Sequence, residues 1–145
     1  MSYDLHFYQS TTDTRSIDLA VLTDFLAKHI SHLEQEDDES WEYNNEESGA
    51  GCTFTYYDPS DEWEDEDLFE FDGFASTGLV LSIELGMDDK AGKECFDMGV
   101  KLMQGLDLYI LNTEDKQSIP QKYNSQELFE KWKNDSDWLK GIPKV

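Results

Sequence analysis

Between Lys28 and Lys90 the chain has no lysine or arginine, and 20 of its 33 aspartates and glutamates fall in that interval. So much like charge strains any compact state through self-repulsion, and a folded chain of this sequence is expected to carry one polarised face. The acidity is confined: nearly all of the net charge of −22 belongs to residues 29–89. A local field of this kind attracts a basic partner.

The densest part, Tyr57 to Phe74, reads YDPSDEWEDEDLFEFDGF. A solvated linker needs acids but not aromatics. Here Trp63, Phe69, Phe71 and Phe74 interrupt the acids, which points to order or to docking. The chain of 145 residues, 38% hydrophobic and 13% aromatic, fits a single domain, residues 1–145, with a core that needs no disulfide or metal.

Several function classes are disfavoured. Nucleic-acid binding depends on clustered basic residues, and Arg15 is the single arginine. An anionic membrane surface would repel the chain, and no apolar run approaches the roughly 18 to 20 residues that span a bilayer. MSYDLHFYQS lacks the basic and apolar regions of a secretory signal, so a cytoplasmic location is expected. Cys52 and Cys95 have no metal or redox spacing and read as buried free thiols.

Alternation of Tyr3, Leu5 and Phe7 with Asp4, His6 and Tyr8 predicts a strand. Ser16 is placed to cap a helix whose apolar residues, from Ile17 through Leu22, Leu26 and Ile30 to Leu33, recur at three- and four-residue steps, ending near Gln35. Trp41 and Tyr43, the NNEESGAG turn, and Cys52, Phe54 and Tyr56 predict a hairpin. Phe69 and Phe71, then Leu79, Leu81 and Ile83, predict strand segments on either side of Gly73. Asp88 or Asp89 opens a second helix that ends at Gly105, LDLYIL forms a further strand, and Asn124 with Glu127 forms a capping box for a last helix with Leu128, Phe129 and Trp132. Trp138 and Leu139 are expected to pack its tail. The order predicts an α+β fold: a mainly antiparallel sheet of four to five strands with two to three helices on one face. A ferredoxin-like core with an inserted acidic hairpin satisfies it.

His29 and His32, three apart on the expected helix with Glu36 beyond them, offer weak zinc spacing without a third histidine. Neither DEWEDEDLFEFDG nor DDKAGKE matches the calcium-loop pattern. No GxSxG, phosphate-binding loop or dinucleotide-binding glycine motif is present, and carboxylate pairs are too numerous to select an acid and a base. The sequence therefore assigns no catalytic residue, cofactor or metal.

SYDLHFY, WEYNNEESGAGCTFTY, GLDLYILN and LFEKW together resemble the immunity proteins, small bacterial proteins encoded beside secreted polymorphic toxins, including those of type VI and contact-dependent secretion. The resemblance implies a cytoplasmic, non-catalytic protein that binds a cognate toxin domain and covers its active site. A toxin acting on nucleic acid or a phosphate-bearing cofactor has the basic cleft that suits the charge. The expected contact residues are Asp58, Asp61, Glu62, Trp63, Glu64, Asp65, Glu66, Asp67, Glu70 and Asp72, helped by Glu34 to Glu42 and by Glu46 and Glu47. Their carboxylates would stand where substrate phosphates bind, with Trp63 or Tyr57 as an aromatic anchor. Two rival readings are a DNA-mimic inhibitor of a nucleic-acid-binding protein and a small acidic enzyme.

Overall fold

The computed structural model describes residues 2–58, 71–114 and 119–139, with side chains given through Asp135. The elements are β1 (Ser2–Ser10), α1 (Leu19–His29), β2 (Leu33–Asp37), β3 (Ser40–Asn45), β4 (Ala50–Tyr56), β5 (Phe74–Glu84), α2 (Asp89–Gly105), β6 (Tyr109–Asn112) and α3 (Ser125–Leu139). The strands form one sheet in the order β2-β3-β4-β5-β1-β6, with every neighbouring pair antiparallel. The fold is α+β, as expected.

Within the sheet, β6, β1, β5 and β4 stand side by side, and α1 and α2 lie on the connections that leave β1 and β5. This is the split βαβ arrangement of a ferredoxin-like core. β2 and β3 extend it on the β4 side as an added acidic hairpin.

Helices cover one face. Tyr3, Leu5 and Phe7 of β1 and Leu79, Leu81 and Ile83 of β5 join Leu22 and Leu26 of α1, Cys95, Phe96 and Leu102 of α2, and Leu128 and Trp132 of α3 in one core. Polar groups inside it are matched: Asn112 Nδ2 donates to Tyr3 Oη at 2.7 Å, and Trp132 Nε1 donates to the Glu84 carbonyl at 3.0 Å. Where β1 and β5 lose register between His6 and Tyr8, Thr77 Oγ1 donates to the Phe7 carbonyl at 2.9 Å.

Three expectations are corrected. Asp18, not Ser16, caps α1: its Oδ1 accepts from the Val21 amide at 3.0 Å. α1 ends at His29, and His32 takes a left-handed φ of 59°, which histidine tolerates better than most residues. The chain then turns into β2, so Leu33 to Asp37 is a strand and the sheet has six strands. His29, His32 and Glu36 consequently share no helical face.

Elsewhere the expected elements form. Asn124 Oδ1 accepts from the Glu127 amide at 2.8 Å, opening α3. Asp88 stands at the start of α2 without a side-chain capping bond. Phe71 bridges to Phe74 around Gly73, which has a φ of 84°, and β5 begins there. Phe69 lies outside the described residues, as do the Trp138 and Leu139 side chains. Cys52 and Cys95 are free and buried, and the Cys95 thiol together with burial pushes the Cys52 thiol up.

Close approach of α2 to its neighbours rests on missing side chains. A Cβ on Gly92 would run into the Trp132 ring, which is fully buried, whereas a Cβ on Gly105 would meet the half-buried Phe25. Overpacking against an immobile ring outweighs the gain in helix propensity, so Gly92→Ala should lose about 1–3 kcal/mol in urea unfolding. Gly105→Ala should be near neutral because Phe25 can swing toward solvent. Equal effects at both positions would show that α3 does not clamp Trp132 on α2.

Candidate partner-binding site

β3 alternates because one of its faces joins the core: Trp41 and Tyr43 are buried while Glu42 and Asn44 point to the helix-free side. Register then sets the acids. Glu34 stands directly across from Glu42, and Glu36 is the additional residue of a bulge between Gln35 and Asp37. Like charges opposite one another on a sheet are destabilising. The carboxylate of Glu42 beside it holds Glu36 above the ordinary carboxylate range, while Glu42, accepting from Asn44 and from Glu36, is held below it.

No cation among the described residues answers this crowding. The ion pairs among the described residues join Arg15 to Asp13 at 2.6 Å, Lys28 to Asp24 at 3.0 Å, Lys93 to Asp97 at 3.0 Å, Lys122 to Asp107 at 2.7 Å and Lys133 to Asp89 at 2.9 Å. None reaches the β2–β3 hairpin. Asp37 Oδ1 is engaged only locally, accepting from the Glu39 amide at 2.8 Å, and Asp38 and Glu39 are exposed in the turn.

Those of the expected contact residues that the structure describes lie at three places on the sheet. Asp61, Glu62, Trp63, Glu64, Asp65, Glu66, Asp67 and Glu70 lie outside the described residues. Glu42 is central on the helix-free face of the added hairpin, beside Glu34 and Glu36. Asp58 follows β4 and Asp72 precedes β5, both at the end of the sheet where the β2–β3 turn also lies. Glu46 and Glu47 sit in the β3–β4 turn at the opposite end. Tyr57 is 44% exposed, next to Asp58.

One functional-looking carboxylate was not singled out from the sequence. Glu94 Oε2 on α2 accepts from Tyr43 Oη at 2.7 Å, Ser48 Oγ at 3.0 Å and Asn45 Nδ2 at 3.1 Å. Burial pushes Glu94 up, but these three donors outweigh it and leave the carboxyl below its usual range. Burial, then the nearby Glu94 charge, raises the Tyr43 phenol. The cradle ties the hairpin to α2, and its role is structural. Among the described residues, no group of three or more His, Cys, Asp and Glu side chains is arranged to hold a metal ion.

Two substitutions separate the tie from the strain. Glu94→Ala leaves the buried Tyr43 hydroxyl without its acceptor and should cost about 1–3 kcal/mol near neutral pH. Because the folded carboxyl is depressed, that contribution is present above the unfolded value and fades as pH falls through the folded one, so mutant and parent should converge in acid. Glu36 has the opposite sign: it is raised, so its ionised form opposes folding. Glu36→Gln should therefore raise the melting temperature in low salt, with the difference fading near 1 M salt, where screening falls to about 3 Å. A salt-independent effect would mean that the Glu36 carboxylate is not under repulsion.

No helix among the described residues is long and apolar enough to cross a membrane. The chain matches no protein-family model, no curated protein and no solved structure.

Proposed function

We propose that this chain is an immunity protein that acts in the cytoplasm by binding one basic toxin domain through its acidic hairpin and masking the toxin's substrate cleft. The carrying observation is the Glu34, Glu36 and Glu42 group: three carboxylates crowded on one face, exposed, and reached by no ion pair among the described residues. A folded chain that tolerates such repulsion gains when a partner brings the missing cations.

The chemistry of that partner follows from the field. A toxin that handles nucleic acid or a phosphate-bearing cofactor must present lysines and arginines in a cleft. Carboxylates on a sheet can occupy those cations and exclude the substrate without doing chemistry. Long-range attraction would speed encounter, and contacts at the rim of the acidic surface would select one toxin over other basic proteins.

The test pairs this chain with the toxin domain encoded beside it. Co-production in a susceptible cell should restore growth, and stopped-flow association should slow steeply as salt rises. Joint replacement of Glu34, Glu36 and Glu42 by Gln should lower the on-rate by about tenfold at low salt. Growth that is not restored removes the immunity reading. Comparable affinity for several unrelated DNA-binding proteins would instead favour nucleic-acid mimicry.

A further inference from the structure

The two edges of the sheet are finished differently. At β6 the outer side is occupied, since the Ile110 amide donates to the Gln121 carbonyl at 2.9 Å and the Gln121 amide donates back at 3.0 Å. At β2 the sheet stops: β2 pairs with β3, and no further strand follows among the described residues. An edge strand left this way presents a row of main-chain donors and acceptors to any extended chain that can approach.

What can approach is set by the side chains flanking that row. Successive residues of an added strand point to opposite faces. On the helix-free face they would pass Glu34 and Glu36, with Glu42 behind. On the helix face they would enter an open groove of about 580 Å³ between the start of α1 and the sheet, lined by Asp18, Leu19, Thr23, Gln35, Asp38 and Tyr56. Leu19 and Tyr56 offer apolar wall for an aliphatic stem, and Asp18 and Asp38 offer carboxylates at its rim. This suits a lysine or arginine, whose stem packs on apolar surface while its head stays polar.

Charge also excludes the occupant that open edges most often recruit. A second copy would bring the same glutamates against Glu34 and Glu36. We infer that β2 receives an extended basic segment of a partner protein as one further strand, reading main-chain hydrogen bonds along the edge and basic side chains on both faces. This rests on the reading of the hairpin as the partner-binding surface, and adds how the partner is held. Main-chain pairing supplies geometry that a diffuse polyanion lacks.

The probe is a short oligolysine peptide, which presents basic side chains on both faces of an added strand, compared with two versions of equal charge in which one or the other alternate set of amides is N-methylated. On the full chain, the parent peptide should slow hydrogen exchange at amides within Leu33–Asp37, and one methylated version, but not the other, should bind at least about tenfold more weakly. Joint replacement of Glu34, Glu36 and Glu42 by Gln should weaken the parent peptide by about tenfold. Equal binding of all three peptides, or protection confined to the Glu46–Gly49 turn, overturns strand addition. So does self-association of the chain through β2 in about 0.5 M salt, which would make a second copy the occupant. Growth rescue by the chain together with equal peptide binding removes strand addition alone, whereas failed rescue with β2 protected removes immunity and leaves the edge site standing.

Discussion

Everything in this fold hangs on how closely α2 lies on the sheet and on α3. A Cβ on Gly99 would stand 3.0 Å from Leu81, and one on Gly92 would run into the Trp132 ring. With those two approaches made, one helix seals Leu5, Phe7 and Leu81 from above and seats α3 on its flank. The consequence is geometric. α2 reaches the added hairpin through Glu94, which holds Tyr43, Asn45 and Ser48 of β3 and its turn, while four of the five residues of β2 remain exposed. Among the described strands, β2 is the one left mostly exposed.

Much of this is written in local patterns. β1, β3 and β4 alternate because one face of each enters a helix-covered core, the second half of β5 does so apart from the buried Val80, and α2 and α3 carry their apolar stripe and cap in contiguous residues. The helix boundary at α1 does not yield to the same reading. Ile30 and Leu33 continue a helical spacing, yet both are needed elsewhere: Ile30 seals the helix end, its amide donating to the Leu26 carbonyl at 3.2 Å, and Leu33 begins β2 opposite Tyr43. Periodicity cannot see a left-handed turn at His32. The informative signal was the partner: Trp41 and Tyr43 alternate as strongly as a strand flanked on both sides.

The acidic site is only half legible for a related reason. Charge confinement is a property of composition, so the segment is visible from the sequence. Which carboxylates face one another depends on strand register, and the Glu34–Glu42 opposition exists only because residues 33–37 are a strand. Once paired, the same residues that looked like a charged helix end become a repulsive ladder. The Glu94 cradle is hidden more deeply, since its donors are about fifty positions away in sequence and its carboxylate resembles any other acid on an amphipathic helix.

Repulsion on an open edge acts as a filter. A neutral edge strand accepts any extended chain, its own copies included, and the hydrogen-bonding row does not discriminate. Adding acids to both sides of that row leaves the main-chain geometry in place while raising the energy of every neutral or acidic visitor relative to a basic one. Glu36 shows the arrangement most directly: the bulge that makes β2 irregular also brings a further carboxylate beside Glu42 and raises the repulsion that a cation would relieve. Against β6, where Gln121 takes up the outward main-chain groups of Ile110, the difference is between an edge already bonded at its middle and an edge closed by charge to most chains.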